Sequence, residues 1–251
     1  MYWNCYERKS RATPDVIAVG AHPDDVEIAC GGTLAKLASQ GYRVGIIDLT
    51  DGEPTPRCED PAIRVAEADA AAETLGIAMR KILPLTNRRV FDGFDERVAL
   101  ASEFRRYRPS LVIGFGRKTP MASPDHFQAM LITDAAVFYS RLTKWDEYFD
   151  GLPVHTISAH IYFQLGFEAP GQPEFGSNLT VDISEFLEAK MQSIQCYKTQ
   201  FPPEKQATLN RVRGIAVAAG SAAGFAAGEV FSTTRPLGCQ DLVQTVVPDH
   251  A

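Results

Sequence analysis

Residues 15–33 read DVIAVGAHPDDVEIACGGT, in which the run DVIAVG (15–20) is closely followed by His22, Asp24 and Asp25. The first part, DVIAVG (15–20), is typical of a buried strand because it is rich in Val and Ile. A carboxylate that is buried without a partner costs several kcal/mol. The polar cluster behind the strand is therefore predicted to be solvated, paired or bound to a cation.

The chain around this stretch alternates Val- and Ile-rich runs with helix-length amphipathic segments, which is typical of parallel βαβ units. Further strands are predicted at 42–50, 80–85 and 110–116, and helices at 31–40, 59–76, 94–107 and 123–142. The later pattern is weaker, with strands near 157–165 and 178–183 and helices near 184–200 and 205–223. We find no internal repeat and no clear linker. The sequence predicts one domain over residues 1–251, an α/β Rossmann-like, doubly wound, mostly parallel sheet with helices on both faces.

This topology predicts a meeting of residues that are far apart in the chain. In a doubly wound sheet the first and fourth strands are neighbours, and ligands bind in the crevice at their carboxyl ends. His22 and Asp25 follow the first strand, and His126 follows the fourth. Two imidazoles and one carboxylate with open positions make a catalytic site for zinc or a similar divalent ion such as Fe²⁺. A bound cation would also compensate the carboxylates.

Asp24 adjoins a predicted ligand and need not be one itself. A free carboxylate in this position can act as the general base that takes a proton from a water activated by the metal. Gly31 and Gly32 are expected to let the start of the helix pack close under the site and to leave room for substrate. The alternatives are a solvated, Asp-rich turn with a helix cap, and a dinucleotide site. The dinucleotide site is disfavoured because the loop lacks G-x-G-x-x-G and its acids would repel a pyrophosphate.

The composition argues against several classes of partner. The chain has 25 Lys and Arg against 31 Asp and Glu, and the basic residues are scattered, so no nucleic-acid footprint is seen. The longest uncharged run, 214–228, is about 15 residues, shorter than the ~20 of a membrane span. The N-terminal stretch lacks the apolar run of a signal peptide.

The five cysteines are scattered without a Cys-x-x-Cys pair. This arrangement favours free thiols in a reducing, cytoplasmic compartment and disfavours a structural zinc site.

Three stretches together resemble the LmbE/PIG-L deacetylases, metal-dependent amidases that remove acetyl groups from N-acetylglucosamine units. These stretches are AHPDDVEIACGGTLAKLASQGYRVGIIDLTDGE (21–53), RVAEADAAAETLG (64–76) and SPDH (123–126). The resemblance extends over about residues 15–135. The later stretches VDISEFLEAKMQSIQCYKTQF (181–201) and GEVFSTTRPL (228–237) look like the bacillithiol-pathway branch.

The resemblance implies a role for each matching residue. His22, Asp25 and His126 hold the metal, and Asp24 is the general base. Arg64 lies near the substrate and Glu53 lines the sugar side, although an Arg at helical spacing from acidic residues is often only a surface ion pair. Asp125 is not a ligand itself and is expected to orient a metal-binding histidine, as outer carboxylates commonly do.

The chain departs from the family pattern at Ser123, where many relatives have the first His of His-Pro-Asp-His. Ser123 can donate one hydrogen bond but is not a strong acid, so the proton for the leaving amine would return from Asp24. His155 and His160 are candidates to replace the missing imidazole, although a lone His near a strand is more often structural.

These observations predict a zinc-type hydrolase that removes the N-acetyl group from an amino sugar, most specifically N-acetylglucosaminyl-malate in bacillithiol biosynthesis. Arg64 is a candidate to hold a malate carboxylate, because a guanidinium can form two parallel hydrogen bonds with it. The alternatives are a broader amino-sugar or chitooligosaccharide deacetylase, and a non-catalytic sugar-binding protein with a structural metal. The presence of the acid Asp24 beside the predicted ligands disfavours the non-catalytic sugar-binding protein. The resembling branch also suggests a homo-oligomer.

Overall fold

The computed structural model describes residues 14–165 and 178–240, which form a seven-stranded sheet with the order β3-β2-β1-β4-β5-β7-β6. The strands are β1 (Val16–Gly20), β2 (Val44–Asp48), β3 (Met79–Ile82), β4 (Leu111–Phe115), β5 (Ala159–Phe163), β6 (Asn178–Asp182) and β7 (Gly228–Thr233). The helices are α1 (Asp25–Ser39), α2 (Pro61–Thr74), α3 (Phe94–Tyr107), α4 (Asp125–Tyr139), α5 (Leu187–Gln195) and α6 (Gln206–Ala222). Short 3₁₀ turns lie at Asp146–Tyr148 and Pro203–Lys205.

The sheet confirms the predicted doubly wound, mostly parallel architecture. Strands β1 to β5 are joined by parallel pairs, and β1 lies between β2 and β4. Strand β7 is antiparallel to both of its neighbours, β5 and β6. Strand β7 is not predicted from the sequence, since its second residue is Glu229, and a charge is atypical of a buried strand. The single-domain prediction includes residues outside the described ranges and stays a prediction.

The predicted start of the first helix is wrong, because α1 begins at Asp25 and not at Gly31. The helix is kinked at Cys30, whose φ of −141° and ψ of 19° are not helical. Gly31 therefore begins only the second part of α1. A Cβ on Gly32 would lie 2.7 Å from Ile183 Cδ1, so this glycine permits close packing against the segment after β6. The cleft described below is lined by neither glycine, so the expectation that they leave room for substrate is wrong.

The residues behind the site form a close-packed apolar layer that contains a buried ionic network around Arg80. Strands β1 and β2 are buried along their whole lengths. Arg80 on β3 donates through Nε to Asp48 Oδ2 at 2.8 Å and through Nη1 to Glu27, which lies in the first part of α1. The Tyr197 hydroxyl also donates to Glu27, at 2.7 Å. The network therefore connects α1 to the edge strand β3.

Replacing Arg80 with Met is expected to lower the free energy of unfolding by about 3–5 kcal/mol, because Glu27 and Asp48 would stay buried without a cation. Chemical denaturation measures the effect. The control is Arg213→Met, which removes an exposed ion pair with Glu188 and is expected to change the free energy of unfolding far less, because solvent screens exposed pairs. Equal losses in the two variants would contradict the importance assigned to the buried network.

No helix in the described ranges combines the length and the apolar character that a bilayer crossing requires. The cytoplasmic location and the homo-oligomeric state stay predictions. Four cysteines lie in the described ranges and are free, namely Cys30, Cys58, Cys196 and Cys239. Their free state agrees with the predicted thiols, and Cys5 lies outside the described residues.

Candidate functional site

Strands β1 and β4 are parallel neighbours, with Val16 opposite Leu111 and Ala18 opposite Ile113. The loops that follow them therefore open at the same edge of the sheet. One ligand atom each from His22, Asp25 and His126 lie within 4.8 Å of one another. The predicted meeting of these three side chains at the carboxyl ends of two strands is found in the structure.

Asp25 is held at the centre of this cluster by the backbone of the preceding loop. Its Oδ2 accepts hydrogen bonds from the N–H groups of Ala21 and His22 at 3.0 and 2.9 Å. His22 Nδ1 lies 3.3 Å from Oδ2, and His126 Nε2 lies 3.3 Å from Oδ1. Asp24, directly before it, has a φ of 116°, which is unusual for a residue other than glycine. Such strain is often found at functional sites.

The two imidazoles are oriented through the nitrogens that face away from Asp25. His126 Nδ1 is 2.8 Å from the Thr119 hydroxyl, and His22 Nε2 is 3.3 Å from Asp125 Oδ2. Asp125 also accepts a hydrogen bond of 2.6 Å from the backbone N–H of Arg88. Asp125 therefore lies behind His22, and its role in supporting the site stays a prediction.

The buried charges perturb one another strongly in the metal-free protein. Burial acts to lower the pKa of His22, but hydrogen bonds with Asp125 and Asp25 raise this pKa to about 10. Burial acts to raise the pKa of Asp25, but His126 and His22 hold it well below its usual range. Burial raises the pKa of Asp24 to about 7 against the opposing charge of Arg64. Neighbouring groups that titrate so differently are typical of functional sites.

The donor set fits a divalent metal ion. Two nitrogens and one carboxylate face one another, and the second nitrogen of each imidazole has a polar neighbour, as is common for metal-binding histidines. Such a set suits Zn²⁺ and Fe²⁺ alike. His22, Asp25 and His126 are at most 9% exposed, so the candidate ligands are held in a largely buried cluster.

Arg64 lies directly beneath Asp24. Its Nη2 donates to Asp24 Oδ2 at 2.9 Å and to the carbonyl oxygen of Pro23. The guanidinium lies 5.1 Å from the centre of the Tyr197 ring, and Arg64 is only 2% exposed. Arg64 also lines the cleft described next. Its position suits holding Asp24, and its predicted contact with substrate stays a prediction.

A cleft of about 330 Å³ opens over the cluster and is lined by His22, Asp24, Asp25 and His126. This volume lies in the range of roughly 300–1,000 Å³ that is usual for small-ligand sites. Several residues that line the cleft were not predicted from the sequence, namely Thr55, Asn87, Arg88, Gln200, Lys205 and Thr208. Asn87 and Arg88 follow β3, so their position after a parallel strand was an available signal. The side of the cleft formed by Gln200, Lys205 and Thr208 had no comparable signal.

The remaining candidates occupy different surroundings. Ser123 lines the cleft, and its Oγ accepts a hydrogen bond of 3.3 Å from the Asp125 N–H. Glu53 does not line the cleft, since its carboxylate bonds to the Thr55 hydroxyl at 3.0 Å, whereas Gly52 and Thr55 do line it. The interpretation of Glu53 as a residue lining the sugar side is therefore not supported by its position.

Neither candidate for the missing imidazole reaches the cleft. His155 Nε2 lies 2.6 Å from the Pro109 carbonyl oxygen, before the start of β4 and hence at the opposite edge of the sheet. His160 Nδ1 lies 3.5 Å from Asp134 Oδ1, on α4. Burial lowers the pKa of His160 to about 4. Both side chains contact groups outside the cleft, and neither replaces the imidazole absent at Ser123.

The chain is similar to one protein family and to several curated deacetylases. The family model for PIG-L, GlcNAc-PI de-N-acetylase, matches residues 17–137. The diacetylchitobiose deacetylase of Thermococcus kodakarensis is 29% identical over 199 residues, which cover 75% of this chain and 71% of the relative. The 1D-myo-inositol 2-acetamido-2-deoxy-alpha-D-glucopyranoside deacetylase 1 of Saccharopolyspora erythraea is 26% identical over 238 residues, which cover 75% and 78%.

A solved structure shows the same architecture. The N,N'-diacetylchitobiose deacetylase from Pyrococcus horikoshii, complexed with its inhibitor MPG, superposes with a TM-score of 0.76 at 26% identity. The match covers 88% of this chain and 83% of that chain. The fold of this chain is therefore similar to that of a protein named as a deacetylase.

Proposed function

The chain belongs to the PIG-L (LmbE-like) family, whose deacetylases are typically metal-dependent, and from this premise we propose that it hydrolyses the N-acetyl group of an N-acetylglucosamine conjugate. The observation that carries the proposal is the cluster of His22, Asp25 and His126 in one cleft with the unassigned acid Asp24. Water and the amide are the reactants, and acetate and a free amine are the products.

His22, Asp25 and His126 would hold the metal ion. When bound, Zn²⁺ or another divalent ion supplies a Lewis acid that lowers the pKa of water and polarises the acetamide carbonyl. Thr119 and Asp125 keep the two imidazoles in the orientation that leaves His126 Nε2 and His22 Nδ1 facing the Asp25 carboxylate.

Asp24 moves the proton in this proposal. Arg64 Nη2 bonds to Oδ2 of Asp24, so Oδ1 is the atom that takes a proton from the attacking water. The same atom then gives the proton to the nitrogen of the leaving amine. A carboxylate at this place can both accept a proton from water and return it to the amine.

Neutral donors in the cleft can bond to the oxyanion that develops on the amide carbonyl. Ser123 Oγ accepts from the Asp125 N–H, and its own proton stays available for donation into the cleft. Asn87 carries a second neutral donor on the cleft wall. Such preorganised donors stabilise developing negative charge, and they offer a function for Ser123 without requiring it to act as an acid.

The finer proposal is that the substrate carries an anionic aglycone, as in N-acetylglucosaminyl-malate. Arg88 on the β3–α3 loop and Lys205 before α6 are exposed cations that line the cleft. They are better suited to bind malate carboxylates than Arg64, whose guanidinium is buried against Asp24. The relatives named for diacetylchitobiose and for an inositol glucosaminide favour the runner-up, a deacetylase of neutral amino sugars.

A comparison of substrates tests this proposal. The malate conjugate is expected to be hydrolysed with a higher kcat/KM than free N-acetylglucosamine, and Arg88→Gln and Lys205→Gln are expected to narrow that gap by raising KM for the conjugate. Arg64→Lys, in contrast, should lower kcat on both substrates, because it displaces Asp24. Equal kcat/KM for both substrates in the wild-type enzyme would contradict the anionic aglycone and favour the runner-up.

Treatment with a chelator separates catalysis from sugar binding. Hydrolysis of an N-acetylglucosamine conjugate should disappear with the chelator and return with added Zn²⁺ or Fe²⁺. Binding of the sugar without any hydrolysis by the metal-loaded protein would instead support the alternative of a non-catalytic sugar-binding protein.

A further inference from the structure

The kink in α1 contains an ion pair that comes from two distant parts of the chain. Lys190 on α5 and Glu229 on β7 are 2% and 4% exposed, and Lys190 Nζ lies 2.5 Å from Glu229 Oε1. Neither residue lines the cleft over the candidate metal ligands. A buried pair of this kind needs further hydrogen bonds to offset the loss of hydration. Those further bonds are all made to the backbone of α1.

The two charged groups bond to backbone groups on opposite sides of the break in α1. Glu229 accepts hydrogen bonds from the N–H groups of Gly32 and Thr33 at 3.0 and 2.7 Å. Lys190 Nζ donates to the carbonyl oxygens of Ile28 and Ala29 at 2.8 and 3.4 Å.

These four backbone groups are the natural partners of one another. In an unbroken helix each N–H bonds to the carbonyl four residues earlier, so Gly32 would bond to Ile28 and Thr33 to Ala29. The ion pair thus supplies a hydrogen-bond partner to the two N–H groups and the two carbonyl oxygens that would otherwise bond to each other across the kink. A side chain inserted into the helical ladder is a recognised cause of a sharp kink.

The pair is linked to the site by one short chain of bonds. Lys190 holds the carbonyl of Ile28, and the N–H of Ile28 donates to the carbonyl oxygen of Asp24 at 3.0 Å. Ile28 also lines the cleft. The first part of α1, Asp25–Ala29, is therefore a single turn whose far end is fixed by Lys190 and whose near end carries Asp24 and Asp25.

We propose that Lys190 and Glu229 are positioning residues: they set the angle between the turn Asp25–Ala29 and the rest of α1, and thereby bring Asp24 and Asp25 into the cleft. This inference rests on the proposed metal-dependent function only for its effect on metal binding. Its effect on the backbone of the turn is independent of any metal.

Glu229→Gln tests the proposal, because the amide keeps the shape of the side chain but cannot accept from both N–H groups and face Lys190 as an anion. The dissociation constant for Zn²⁺, measured by competition with a chelator, is expected to rise at least tenfold. Amide hydrogen exchange at Val26–Ala29 is expected to accelerate in the metal-free protein. The matched control is Phe149→Leu, a buried substitution between α4 and β5, which should lower the unfolding midpoint without changing either measurement.

The outcomes separate the two proposals. If Glu229→Gln loses stability as Phe149→Leu does, but keeps wild-type affinity for Zn²⁺ and wild-type exchange at Val26–Ala29, the pair only stabilises the fold and the inference is overturned. If the wild-type protein itself does not bind Zn²⁺, Fe²⁺ or Co²⁺, the proposed metal function fails, while the exchange measurement still decides the positioning role.

A second variant covers the case in which Glu229→Gln does not fold. Glu229→Asp keeps the negative charge beside Lys190 but is one methylene shorter, so it cannot reach both Gly32 and Thr33. Glu229→Asp is expected to show the same weaker binding of Zn²⁺ and the same faster amide exchange at Val26–Ala29. Wild-type values for both measurements in this folded variant would also overturn the inference.

Discussion

Asp24→Asn is expected to reduce kcat by roughly 10²–10⁴-fold, the usual size of a general acid–base contribution, while the protein keeps its metal. The amide is nearly the same size as the carboxylate, and its oxygen can still accept the hydrogen bond from Arg64 that Asp24 accepts at 2.9 Å. What the variant loses is the group that takes a proton from water and returns it to the amine. Steady-state kinetics and metal analysis on the same preparation measure the two properties together.

Glu53→Gln is the matched control for Asp24→Asn. It neutralises a nearby carboxylate that bonds to Thr55 and does not line the cleft, so kcat should change only a few-fold. Turnover near the wild-type rate by a metal-loaded Asp24→Asn enzyme would show that Asp24 is not the general base.

His126→Ala is expected to abolish stable metal binding and, with it, hydrolysis. His126 Nε2 faces Asp25 Oδ1 at 3.3 Å, and His22 and Asp25 alone leave a divalent ion with two of its three protein ligands. Metal content after purification and dialysis should fall from about one ion per chain to a small fraction of that value, while circular dichroism shows a folded protein.

His160→Ala provides the comparison for His126→Ala. This histidine is also buried, at 8% exposure, but it lies beside Asp134 and outside the cleft, so its removal should leave the metal content unchanged. Full metal occupancy in His126→Ala, or equal loss of metal in the two variants, would contradict the assignment of His126 as the third ligand.

The sequence by itself determined the parallel core of the sheet and the meeting of the candidate ligands. The Val- and Ile-rich runs at 15–20 and 110–116 are typical of buried strands, and the order of strands and helices then makes β1 and β4 neighbours. Because parallel strands end at one edge, His22 and His126 had to approach each other. Local composition and one topological rule sufficed for this part of the site.

Only the tertiary structure decided which side chains line the cleft and how they are held. Arg64, Glu53 and Arg88 are all polar residues near the end of a strand or the start of a helix, and nothing in their local sequence separates a buried partner of Asp24 from a loop residue or an exposed cation of the cleft. The true start of α1 and the strand β7 were missed for a related reason. Glu229 and Lys190 are charges far apart in the chain, and burial is favourable for each only because folding brings the other charge and the broken backbone of α1 within hydrogen-bonding distance.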